Sequence, residues 1–214
     1  MWDLARHPRV IGAVQDLVGD DLFIMASRFW IKDPQDRKFV SWHQDHNYFG
    51  LNPPTLITVW IALNEVTRHN GCMRVIPGSH KLGTQAHVET FDKNNLLSRG
   101  QALANVDEST AIDVVLKPGE MSIHHGHVFH SSEPNTSDDR RIGYALMFIP
   151  TSVQSTIGRR AATLVAGEDR YGYWDHDPYP TGDRDPAIWA LMHKAASHYY
   201  DRSHKQDKAA APAK

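Results

Sequence analysis

The chain has 214 residues, with 23 basic against 25 acidic side chains and a formal charge of −2 at neutral pH. This length suits one domain with a sizeable core, and the near-balanced charge, without a basic block or stripe, argues against nucleic acid as a partner. No apolar run approaches the roughly 20 residues needed to span a bilayer, which argues against a membrane role, and the opening residues lack the apolar core of a signal peptide. The single cysteine, Cys72, leaves no internal disulfide and suits a reducing cytoplasm.

Leu4, Val10, Ile11, Val14, Leu17 and Val18 recur at three- and four-residue spacings until Gly19. They predict a helix over residues 8–18 with Pro8 in its first turn. Residues 22–31 read as a strand and Asp33-Pro34-Gln35-Asp36 as a turn. Phe39 to Trp42 leads into His43-Gln44-Asp45 at a strand end. After Asn52-Pro53-Pro54, residues 56–63 (LITVWIAL) form a continuous apolar run of strand length, read as a buried strand. Residues 71–77 read as a short strand, 82–110 as loop with a little helix, and 112–116 as a strand. A turn at residues 117–120 leads to a strand at 121–125. A polar loop at 131–139 leads to another at 142–149. Residues 167–185 show no periodicity, 186–200 have helical spacing, and 206–214 read as a disordered tail. Short strands between Gly/Pro turns, with helices mainly at the ends, predict a mainly β domain over residues 1–205. A double-stranded β-helix (jelly roll, cupin-like) fits this pattern and brings distant strand ends to one mouth.

His43 and Asp45 flank Gln44, and period-two geometry puts both on one strand face. A second group of histidines follows at His124, His125, His127 and His130. Two histidines and one carboxylate are the ligand set of the facial triad, which holds Fe(II) by one face and leaves the other open. His130 is the choice for the third ligand, with His46, His124, His125 and His127 as competitors. A lone His-x-Asp is otherwise often a simple hydrogen-bonded pair. Such an iron centre draws two electrons from a keto acid, whose far carboxylate needs a buried counter-charge. Arg141 could supply one bidentately; otherwise it is a surface arginine beside Arg140.

These segments resemble the phytanoyl-CoA dioxygenase family of Fe(II)/2-oxoglutarate-dependent oxygenases. The likeness runs from about Leu22 to Pro150. It is carried by WHQDHNYFGL, by VWIALNEVTRHNGCMRVIPGSHK, by LKPGE, and by HxxxxHSSxxNxSxxxR from His125 to Arg141. The resemblance implies iron ligation by His43, Asp45 and His130, with O2 and 2-oxoglutarate as cosubstrates. It places the cosubstrate arginine at Arg141 and a serine contact at Ser132, with Trp60 and Phe29 lining the cosubstrate. It implies hydroxylation of a small organic substrate with release of succinate and CO2. Related halogenases replace the carboxylate by a small residue, whereas this chain keeps Asp45. The family's N-terminal helical region, some tens of residues, is expected to be partly missing.

His125 and His46 are candidate substrate contacts, His125 being equally readable as a satisfied core histidine. The aromatic stretch 170–174 reads as packing, with a lid or an oligomer contact as alternatives, and a homo-oligomer is compatible with the sequence. The rival functions are a catalytically silent jelly-roll module that binds metal or a small acid, and a metal-dependent enzyme that uses no keto acid.

Overall fold

The computed structural model describes residues 1–193. It opens with two helices, α1 (Trp2–Ala5) and α2 (Pro8–Val18). Helix α2 begins at Pro8, where His7 Nδ1 accepts from the Arg9 amide, and ends at Gly19, whose φ is +96°. Proline at the first position and glycine just past the last are the expected punctuation.

The strands follow in order: β1 (Leu22–Lys32), β2 (Val40–His43), β3 (Leu51–Asn52), β4 (Ile57–Ala62), β5 (Met73–Val75), β6 (His87–Glu89) and β7 (Gln101–Leu103). Then come β8 (Ile112–Val114), β9 (Met121–His125), β10 (His130–Ser132), β11 (Arg141–Pro150), β12 (Gln154–Ser155), β13 (Ala161–Ala166) and β14 (Asp175–His176). The larger sheet has the order β14-β13-β1-β11-β4-β9 and the smaller one β2-β10-β5-β8. Pairing is antiparallel throughout both sheets except between β13 and β14. The architecture is the expected double-stranded β-helix.

The larger sheet has two apolar faces. Its outer face carries Leu22, Ile24, Ile57, Val59, Ile61, Leu146 and Phe148, which pack on Ala5, Val10 and Val14 of the helices. Its inner face carries Phe23, Met25, Met147 and Ile149, with Trp60, Ala62 and Ala145 farther along. Burial on both faces explains why β4 reads as an unbroken apolar run rather than an alternating one.

Strand β1 changes its alternation midway. Against β11 its register runs Ile24↔Phe148 and then Ala26↔Met147, so Met25 is an extra residue. Before this bulge the odd-numbered side chains face inward, and after it the even-numbered ones do. Trp30 and Lys32 therefore turn in, while Phe29 and Ile31 turn out.

Segment 82–110 is loop with a short 3-10 turn (Glu108–Thr110), as expected, and also holds the β6–β7 hairpin, which was not expected. Farther on, β13 pairs with β1 through Leu22, Phe23 and Ile24. Its sequence, AATLVA, carries little alternation, so tertiary pairing decides it.

Residues Met1–His176 form one unit and the chain from Asp177 a second. Within the second, residues 186–193 are helical. Asp185 Oδ1 accepts from the Ala187 amide at 2.9 Å, and its Oδ2 accepts from the Thr181 hydroxyl at 2.8 Å. The rest of the expected helix to residue 200 and the expected tail at 206–214 lie outside the described residues. No helix among the described residues is long and apolar enough to cross a membrane.

Phe148 is fully buried between the outer face of the larger sheet and the helices. Phe148→Ala is expected to cost about 3–5 kcal/mol in urea denaturation, through lost burial and the cavity left behind. A loss under about 1 kcal/mol would mean the helices do not seal that face.

Candidate metal centre

Strand β2 ends at His43, and Asp45 begins a short 3-10 turn (Asp45–Tyr48) rather than continuing the strand. Gln44 between them is extended, and its side chain points away from both neighbours. Its amide nitrogen donates to Gly83 O at 2.8 Å and His127 O at 2.9 Å, and its Oε1 accepts from the Gln85 amide at 2.7 Å. Gln44 thus ties the turn to two loops while His43 and Asp45 are left to face the interior.

His130, on β10, is the register partner of His43. Donor atoms of His43, Asp45 and His130 all lie within 4.8 Å of one another, and all three residues are buried. His43 Nε2 is 3.5 Å and His130 Nε2 3.6 Å from the same oxygen, Asp45 Oδ1. The opposite ring nitrogens face carbonyls: His43 Nδ1 lies 2.9 Å from Ser41 O, and His130 Nδ1 lies 3.0 Å from Val128 O. Those acceptors favour the Nδ1–H tautomer and leave both Nε2 lone pairs aimed at the common point, the usual arrangement for imidazole ligation. Asp45 Oδ2 accepts from the Thr58 hydroxyl at 2.7 Å, which fixes the carboxylate with Oδ1 turned to the histidines. The donor set, its tautomers and its carbonyl support fit Fe(II).

Burial alone would raise the Asp45 carboxyl. His130, His124 and His43, crowded around it, hold it well below the usual carboxylate range. Burial, and then His43, push His130 down to about 3.

The cleft runs from this centre between the two sheets. It is lined by Trp30, Thr58, Trp60, Met73, His124, Ser132, Arg141 and Met147, among others. At its far end Arg141 is 2% exposed, and its guanidinium lies 5.3 Å from the Trp60 ring centroid. Arg141 Nε has no hydrogen-bond partner and, among the described residues, no carboxylate pairs with it. A buried guanidinium that no carboxylate among the described residues neutralises, in one cleft with a candidate metal-ligating set, is what the far carboxylate of a chelating keto acid requires.

Trp60 holds its place because Gly143 lies beneath it. A Cβ built on Gly143 would fall inside the indole ring. Trp60 and Ser132 both line the cleft. Phe29 is a correction: its ring is 46% exposed on the outer face, 5.0 Å from Tyr144, because the Met25 bulge puts Trp30 in the cleft instead. His125 and His46 do not border the cleft. His125 sits beside His127 and His80, with ring centroids 5.1 and 6.2 Å away, and His46 lies 4.7 Å from His127. The β9 histidine that reaches the centre is His124, whose Nε2 is 3.5 Å from Asp45 Oδ2. Thr58, Trp30 and Lys32 were not singled out by sequence. Thr58 sits inside an apolar run, where a hydroxyl facing a carboxylate is the only clue.

A family model described as phytanoyl-CoA dioxygenase (PhyH) matches residues 1–143. A probable phytanoyl-CoA dioxygenase of Caenorhabditis elegans is 30% identical over 149 residues, covering 66% of this chain and 48% of that protein. The chain spans about half the length of the curated relatives it matches. Among solved structures, the apo form of the non-heme monooxygenase ThoJ aligns with a TM-score of 0.83 at 32% identity, over 96% of this chain and 76% of that one. CytC3 with Fe(II) and alpha-ketoglutarate aligns with a TM-score of 0.59 at 27% identity, over 80% and 67%.

Gly143→Ala is expected to displace the Trp60 indole and weaken binding of an anion at Arg141, read as quenching or shift of tryptophan fluorescence together with lost 2-oxoglutarate affinity. Unchanged affinity would separate the indole from the anion end.

His130 also sets a pH dependence. The unfolded chain takes up this proton near 6.5, and the folded, metal-free protein only near 3. The contribution to stability is therefore complete above about 6.5 and is lost progressively as the pH falls toward 3. The urea midpoint of the metal-free protein should fall over that window, and less steeply in His130→Phe. Identical slopes would place the proton uptake elsewhere.

Proposed function

The chain belongs to the phytanoyl-CoA dioxygenase family, and from that membership we propose that it is an Fe(II)- and 2-oxoglutarate-dependent dioxygenase that hydroxylates a small organic molecule. The observation that carries this reading is the coexistence, in one cleft, of a His-Asp-His donor set and a buried guanidinium with no anionic partner among the described residues. Either alone has ordinary explanations. Together they match the two ends of a keto-dicarboxylate: a chelating end and a far carboxylate.

In this reading His43, Asp45 and His130 would hold the metal through Nε2, Oδ1 and Nε2. Bound Fe(II) supplies O2 activation coupled to oxidative decarboxylation of the keto acid, giving succinate and CO2. The chain's own residues do the rest. Thr58 occupies Asp45 Oδ2 and would leave Oδ1 for the metal. The carbonyls of Ser41 and Val128 keep the two imidazoles neutral at the ligating nitrogen. Arg141 neutralises the far carboxylate and Ser132 donates to it. Trp60, wedged over Gly143, shields that ion pair from water, where it would be worth far less. Retention of Asp45, where related halogenases carry a small residue, favours hydroxylation over halogenation.

The experiment is succinate release from Fe(II)-loaded protein and 2-oxoglutarate, moved from anaerobic to aerobic conditions. Wild type is expected to form succinate, slowly without a substrate and faster with one. Asp45→Ala should abolish it. Arg141→Ala should raise the KM for 2-oxoglutarate by about ten- to a hundredfold, the scale of a lost charge-assisted hydrogen bond. Wild-type turnover in Asp45→Ala would remove that residue from the ligand set. Metal binding without any succinate would favour the silent binding module. Succinate-free oxidation insensitive to Arg141→Ala would favour an enzyme that needs no keto acid.

A further inference from the structure

Lys32 is fully buried, and no element of the reading above uses it. It stands directly opposite Arg141 in the β1–β11 ladder. The bulge at Met25 turns it to the same inner face. Two like charges at opposed positions of an antiparallel pair repel, and burying a charge without a counter-ion is costly. Among the described residues no carboxylate lies within ion-pair distance of either cation; Glu133 and Asp36 act on Lys32 only at longer range.

The ammonium is nevertheless closely held. Lys32 Nζ donates to Ser132 Oγ at 2.7 Å, to Ser132 O at 3.2 Å and to Glu133 O. Asn135 closes the end of the strand, its amide nitrogen donating to Lys32 O at 3.2 Å. Gly71 forms the opposite wall: a Cβ there would collide with Glu133 O and lie 3.1 Å from Nζ. Ser132 borders the cleft and Lys32 does not. Because Ser132 Oγ accepts from Lys32, its own hydrogen is free to donate elsewhere, and the open direction is the cleft.

We infer that Lys32 is a positioning residue for the far carboxylate of the keto acid: it presents the Ser132 hydroxyl to the cleft as a donor and places a second buried cation behind Arg141. The inference rests on the 2-oxoglutarate reading. Burial, and then the charge of Arg141, draw the Lys32 ammonium down to about 7. An arriving dianion restores its charged form, so cosubstrate binding and the Lys32 proton reinforce each other.

The test is anaerobic calorimetry on Mn(II)-loaded protein with two keto acids, 2-oxoglutarate and 2-oxobutyrate, the latter lacking the far carboxylate. Lys32→Met should weaken 2-oxoglutarate about tenfold and leave 2-oxobutyrate and Mn(II) affinities unchanged. In a Ser132→Ala background the further loss on Lys32→Met should shrink well below tenfold, because the hydroxyl it acts through is gone. Wild-type affinity in Lys32→Met overturns the inference, as does equal weakening of both keto acids or full additivity with Ser132→Ala. Wild type that binds Mn(II) but neither keto acid overturns the 2-oxoglutarate reading, and this inference with it. Should Lys32→Met fail to fold, Zn(II)-loaded wild type labelled with [13C]lysine carries the test. Its assigned Lys32 Cε resonance should shift with 2-oxoglutarate and not with 2-oxobutyrate; a shift with both or with neither overturns the inference.

Discussion

The pairing of β2 with β10, His43 opposite His130, is the constraint on which the rest of the site depends. Side chains on a strand alternate, so a slip of one residue would send one imidazole to the other face. The register is defended from both sides. β10 is also paired with β5, through His130↔Val75, Ser131↔Arg74 and Ser132↔Met73. The His43 ring reaches His130 O at 3.1 Å, so the two histidines are joined through main chain as well as by register. Asp45 then needs only one extended residue, Gln44, to arrive at the same point.

The cleft is electrically two-ended. One end concentrates a carboxylate ringed by imidazoles, and the other concentrates Arg141, with Lys32 behind it, neither paired with a carboxylate among the described residues. Buried ionic groups of this kind are weak contributors to stability and costly when unpaired. Their retention makes sense where a ligand completes them. The apolar and aromatic lining between the ends, with Trp30, Trp60 and Met147, keeps the dielectric low, so each charge acts strongly on what binds. Burial pushes Arg141 itself down to about 10.

Much of this was legible in sequence, for identifiable reasons. The α2 helix shows its period and both its stops. The fold class follows from short strands between Gly/Pro turns. His43 and Asp45 stand out because a metal needs those donors two apart, and Arg141 because a planar cation suits a carboxylate. The losses are equally physical. The β6–β7 hairpin and β13 are held by pairing partners rather than by their own patterns. Phe29 and Trp30 are adjacent aromatics on one strand, and only the bulge decides which faces in. His124 and His125 pose the same problem on β9. There the pairing Thr58↔His124 sets His124 beside the Thr58–Asp45 contact and sends its neighbour away.

The extra residue at Met25 makes β1 a strand with a reading frame. Upstream of it the odd-numbered side chains build the wall with Ile149 and Met147; downstream the even-numbered ones bring an indole to the cleft and set an amine behind Ser132. Substitution at the outward positions leaves that frame intact. Losing or gaining a single residue between Leu22 and Lys32 would exchange Trp30 and Lys32 for Phe29 and Ile31, removing the indole from the cleft and the amine from behind Ser132 without touching His43, Asp45 or His130. Length, more than identity, is therefore what this strand has to preserve.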